Sequence, residues 1–280
     1  MPIPGVSLIG FMPPQQATAY LRESCVPAVD TDEALLEEWT QAQANLGAPT
    51  ANAGQPNIAE IPESHAGYIE GLRHGPWAQV LQQNPTWEFK LIQVAPLLAY
   101  QFSILSQKSD NHCAVLTAGA PTLDELLAIC LPQIPPTPSA HMSRTGQSIM
   151  IQSRDLNLRC VNAGHVADNV IGLHFAFALP FAHVVRFNGR HYLINGFHRA
   201  YGAALAGATE IPCVFREVAS HLEAGIRDDG ATFPLSVLES NNPPTLNHFV
   251  GGHAHPVQLK PMNRVLHISW AEYLVPDEEF

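Results

Sequence analysis

Gly196, Phe197, His198 and Arg199 form the stretch of this chain whose residue types best suit holding an anion. A glycine between a strand and a helix lets the backbone approach a ligand closely, and the unpaired N–H groups of a first helical turn attract negative charge. Arg199 adds a permanent cation whose planar fork matches phosphate oxygens, and His198 can donate a hydrogen bond in either protonation state. Asn195 supplies one more polar side chain just before the glycine. These residues predict a cradle for a nucleotide phosphate. The alternative is internal: Arg199 paired with Glu210 or Glu217, and His198 capping the helix.

The surrounding elements must place that corner. His183 to Phe187 and Tyr192 to Ile194 are rich in β-branched and aromatic residues, and Asn188-Gly189 between them is the dipeptide a type I′ hairpin turn prefers. Ala200 to Ala206 are mostly good helix formers, Gly207 supplies a C-terminal stop, and Ile211 to Phe215 resumes a strand. The expectation is strand, turn, strand, glycine corner, helix, strand across 183–217.

Gly-Phe-His-Arg-Ala-Tyr-Gly-Ala, followed by Ala-Gly-Ala-Thr-Glu-Ile-Pro-Cys-Val, resembles the second motif of the ParB/sulfiredoxin-like superfamily. The resemblance covers roughly residues 148–218 and is densest over 184–214. It implies an α+β fold, with a nucleotide-binding core at 148–218 inside a domain of residues 141–280 and an additional α/β region at 1–140. By the same resemblance Gly196, His198 and Arg199, with Asn195 beside them, hold the phosphates of ATP or CTP with Mg²⁺. Asp155 and Arg159, on the opening segment of the core, then face the pocket. The implied activity is nucleotide hydrolysis or phosphoryl transfer to a small molecule. The alternatives are a non-catalytic, nucleotide-controlled binding or assembly module and a DNA-associated ParB-like protein. Phe197 stands where sulfiredoxins carry their catalytic cysteine, so sulfinic-acid repair is not expected. Phe197 and His198 also replace the acidic residue and second arginine of the partition proteins, and no helix-turn-helix follows Val218, which argues against DNA partitioning.

Composition narrows the rest. The 280 residues carry 14 Lys plus Arg against 25 Asp plus Glu, a net charge of −11, so an extended polyanion is repelled while a small anion in one pocket is not. Five cysteines without a C-x-x-C spacing argue against a disulfide framework or a zinc ribbon and fit a reducing cytoplasm. No basic segment precedes the apolar N-terminal residues, and the apolar run from Val170 to Val185 is shorter than a membrane span, so neither export nor membrane insertion is expected. There is no G-x-x-x-x-G-K-[ST] and no G-x-S-x-G motif.

Along the chain, helices are expected at Gln15–Arg22, at Asp32–Leu46 behind a Thr31 cap, in two pieces over 63–83 broken at Gly75-Pro76, and at Pro121–Leu131 behind Thr122. Residues 48–62 read as a loop, 87–105 as strand, loop and strand, and the proline-rich 133–146 as a domain boundary. Ile149 to Ile151 is expected to open the second domain as a strand, Ala163 to Phe177 to form a helix, and 219–247 to be irregular. Val265 to Trp270 reads as a final strand. His248, His253 and His255 have three-imidazole spacing, but without a fixed register no zinc site is expected. A catalytic base is not assigned among Asp155, Asp168 and Glu210.

Overall fold

A computed structural model describes residues 1–135, 140–155, 158–167, 170–177, 179–226 and 232–274. The chain begins with strand β1 (Ile3–Ser7), helices α1 (Pro14–Ser24) and α2 (Asp32–Ala44), and short strand β2 (Ile58–Glu60). Helices α3 (Ala66–His74) and α4 (Ala78–Gln83) lead to strands β3 (Glu88–Gln93), β4 (Leu98–Ala99) and β5 (Ser103–Leu105), then to helices α5 (Ser106–Cys113) and α6 (Leu123–Cys130). Strands β6 (His141–Thr145), β7 (Ser148–Ser153), β8 (Leu158–Ala167) and β9 (Val170–Phe177) follow. The chain continues through β10 (His183–Phe187), β11 (Arg190–Asn195), α7 (Phe197–Leu205) and β12 (Glu210–Glu217). Short helices α8 (Leu235–Leu238) and α9 (Leu246–Val250) and strands β13 (His255–Leu259) and β14 (Arg264–Ser269) complete it. The fold is α+β.

Local chemistry explains most boundaries. At α6 the Glu125 amide donates to Thr122 Oγ1 at 3.3 Å while the Thr122 amide donates to Glu125 Oε2 at 2.7 Å, a reciprocal cap that satisfies two N-terminal donors. Thr31 caps α2 through its Oγ1, which accepts from the Ala34 amide at 3.3 Å. Gly75-Pro76 separates α3 from α4, as proline cannot continue the helix.

Two compact units divide the chain, and the division is not at residue 140. The larger comprises residues 1–135 and 180–260, the smaller residues 136–179 and 261–280. In the larger unit a six-stranded sheet has the order β2-β3-β12-β10-β11-β4, and a three-stranded sheet the order β13-β1-β5. Strand β12 is flanked by parallel β10 and antiparallel β3. Its residues Ile211 to Phe215 are buried without alternation, the pattern of a strand covered on both faces. Strands of the N-terminal region, β2 with β3 on one side and β4 on the other, therefore supply both edges of the very sheet that was expected to form a separate domain. Ala200 and Ala203 of α7, Leu126 of α6, and Val184, Leu193 and Ile211 of the sheet are buried in one core.

The smaller unit holds the sheet β14-β7-β6 and the hairpin β8-β9. Here β7 pairs with β6 and β14 rather than with the corner's sheet, so 148–218 is not one continuous core. The helix expected from Ala163 to Phe177 is instead the β8–β9 hairpin, with Gly164 opposite Gly172. Two glycines weaken a helix here, while Val170, Phe175 and Phe177 favour a pleated surface. Among the described residues no helix is long and apolar enough to cross a membrane.

Candidate functional site

The corner itself forms as its residue types dictate. Asn188 and Gly189 both have positive φ, 48° and 72°, which matches the turn between β10 and β11 to the twist of the strands. At the end of β11 the Asn195 Oδ1 accepts the Gly196 amide at 2.8 Å. Gly196 then takes φ 93°, a left-handed conformation, and a Cβ there would stand 2.9 Å from the Ala182 Cα. Only glycine fits both conditions. Helix α7 starts from that residue, with Ala200 N–H bonded to the Gly196 carbonyl at 2.8 Å, and the amides of Phe197, His198 and Arg199 have no acceptor within the helix.

The two charged or titratable side chains turn inward. His198 Nε2 accepts the Leu105 amide at 3.1 Å, and the His198 carbonyl receives the Ser109 hydroxyl at 2.8 Å. An accepting Nε2 places the proton of the neutral ring on Nδ1. Burial, reinforced by Lys108, His112 and Arg199, pushes the His198 pKa down to about 3. His198 Nε2 is therefore a structural acceptor, and Nδ1–H is the one donor the neutral ring keeps.

Arg199 is 8% exposed. Its Nη1 donates to the Ile129 carbonyl at 3.2 Å and also to the Pro180 carbonyl. Ile129 lies in the last turn of α6, where a cation complements the negative end of the helix dipole. Burial lowers the Arg199 pKa from its ordinary value, with the neighbouring Cys130 and Cys113 thiols acting in the opposite sense. Among the described residues no carboxylate pairs with it. Glu217 instead receives Arg186 at 2.6 Å, and Glu210 lines a cleft with Leu91, Leu123 and Gly207.

The remaining candidates belong elsewhere. Asp155, whose amide donates to Ser153 Oγ at 3.0 Å, and exposed Arg159 of β8 are in the smaller unit, whereas Asn195, Gly196, His198 and Arg199 are in the larger. Asp168 lies outside the described residues. The three histidines of the C-terminal cluster have three different tasks. His248 Nδ1 accepts the Thr245 amide at 3.1 Å, His253 Nδ1 donates to the Asn45 carbonyl at 3.0 Å, and His255 Nε2 meets Glu38 Oε1 at 3.1 Å. Among the described residues no group of three or more His, Cys, Asp or Glu is placed to hold a metal ion.

Sequence reading missed the partners of the corner: Leu105, Ile129 and Pro180 are distant along the chain and carry only backbone atoms into these bonds. It also missed the pairing of Glu38 with His255, which lines a cleft of about 480 Å³ in the larger unit. No family model matches the chain, and no curated protein or solved structure does.

Proposed function

We propose that the chain is a nucleotide-binding module in which the Gly196 corner receives the phosphates of ATP or CTP. The observation that carries this reading is the buried Arg199 guanidinium, with no described carboxylate against it, in the first turn of a helix whose first amides lack intrahelical acceptors. A buried cation without a counter-charge is costly, and a phosphate at the corner would offset that cost while accepting the free amides. The resemblance to the ParB/sulfiredoxin-like motif supports the same ligand. Gly196 and the amides of Phe197 to Arg199 fit a phosphate; His198, whose Nε2 accepts the Leu105 amide, has only Nδ1–H to offer one. Among the described residues no carboxylate is hydrogen-bonded or ion-paired to His198 or Arg199, so these residues do not fit a Mg²⁺ ion and no hydrolytic or transfer step is drawn through one.

A second reading rests on the acceptors of Arg199. Both are backbone carbonyls, one at the α6 C-terminus and one at Pro180, so the side chain also fits a purely internal tether. Calorimetric titration of ATP and CTP into wild type, Arg199→Ala and Arg199→Lys, followed by chromatography of the nucleotide, separates the two. The binding module requires intact nucleotide at the end and an affinity loss of about tenfold to a hundredfold in Arg199→Ala. A folded wild type that binds neither nucleotide leaves the tether alone.

A further inference from the structure

A separate part of the larger unit has the composition of a small-molecule site. The cleft of about 480 Å³ lies between the segment after α1, helix α2 and strand β13. That volume is within the range of ligand pockets, about 300–1,000 Å³. Its walls include Val26, Val29 and Val257, and Val26 and Val29 are 42% and 56% exposed, so apolar surface faces solvent at its rim. Its ionisable groups are Cys25, Glu37, Glu38 and His255, and among the described residues no lysine or arginine lines it. Burial pushes the Cys25 thiol up to about 12, which keeps it neutral.

The polar side of the cleft is fixed in place. His255 Nε2 and Glu38 Oε1 are 3.1 Å apart with side chains only 15% and 26% exposed, so the carboxylate is held on a partly desolvated wall rather than sweeping through solvent. Glu37, one position earlier on α2, is exposed and unpaired by any described basic side chain. From apolar walls, two carboxylates and a described lining without lysine or arginine, the geometry points to a binding site for a small amine: an apolar body against the valines, and an ammonium group against Glu37 and Glu38, with Lys260 beyond the lining on the Cys25 side. This site is independent of the Gly196 corner and stands whether or not a nucleotide binds there.

Three probes of one size test it on the full chain: n-hexylammonium, n-hexanol and n-hexanoate, each titrated against backbone amide NMR shifts. Hexylammonium is expected to shift the amides of Glu37 to Gln41 and of His255, Val257 and Gln258 saturably, with hexanol about tenfold weaker and hexanoate weaker still. Glu37→Gln, at an exposed position, and Glu38→Gln, which retains a hydrogen-bonding group for His255, should each weaken hexylammonium about threefold to tenfold and leave hexanol unchanged. Equal affinity for hexylammonium and hexanol, shifts confined to other residues, no saturable shift with wild type, or affinity unchanged in both variants would overturn the assignment.

Discussion

Arg199 Nη1 stands 3.2 Å from the Ile129 carbonyl oxygen, so a side chain of α7 closes the C-terminal turn of α6. The same nitrogen reaches Pro180, the first residue of the second segment of the larger unit. One cation thereby ties the end of α6, shortly before the chain leaves that unit at Pro135, to the residue at which it returns. Truncation would leave two carbonyls without their donor. Arg199→Ala is expected to cost about 2–4 kcal/mol, and Arg199→Lys less, because lysine keeps the charge but not the fork. Urea denaturation checks this, and equal stability of Arg199→Ala and wild type would sink the tether.

Buried histidines make the fold sensitive to acid. The pKa values of His183 and His198 are pushed down to about 3 and that of His248 to about 4, in each case chiefly by burial. Their unfolded values stay near the ordinary 6.5, so on acidification the unfolded chain takes up protons that the folded chain refuses. The stability they preserve is complete above pH about 6.5 and falls as the pH drops toward the folded values. Each contributes about 1.4 kcal/mol per pH unit within that window. His198→Gln, which can still accept from the Leu105 amide, should reduce the slope of stability against pH between 6 and 4.5 by about that amount. An unchanged slope would mean that His198 titrates normally.

Gly196 and Gly189 both have positive φ, yet only Gly196 is crowded, with Ala182 atoms 2.9 and 3.1 Å from the place of a Cβ. Gly189→Ala should cost only the backbone strain of about 1–2 kcal/mol. Gly196→Ala should cost more, about 2–4 kcal/mol, because Ala182 must also move. Thermal melting of the two variants side by side is the measurement, and equal losses would show that the corner is looser than its contacts.

The amides of Phe197 to Arg199 offer a test that spares every side chain of the corner. If a phosphate binds there, ATP should protect those amides from hydrogen exchange while leaving β13 unaffected. Protection spread evenly over the larger unit would instead report general stabilisation and count against a local cradle.

The corner was legible because its signals are local. Asn188-Gly189 dictates a turn, Gly196 a left-handed joint and the alanines a helix, and each works through residues within one or two turns of itself. The direction of Arg199 was not legible, since it depends on carbonyls of Ile129 and Pro180, 70 and 19 residues away. The same limit applies to the division of the chain into its two compact units. Nothing inside Glu88 to Gln93 announces that its partner is β12, and the prolines after Pro132 mark the exit to an inserted unit rather than the end of a domain. The hairpin β8–β9 was misread for another reason: alanines and glycines blur the period of two that Val170, Phe175 and Phe177 would otherwise show.

Because β12 is completed by a strand made much earlier, the order of synthesis matters. Strand β3 leaves the ribosome about 120 residues before β12, so at about 5–20 residues per second it waits roughly 6–25 s for its neighbour. Strand β1 waits longer, since Ile3 pairs with Leu259. During that interval the nascent N-terminal third carries apolar strand edges without their mates, and the first half of this protein has no finished sheet of its own to hide them in.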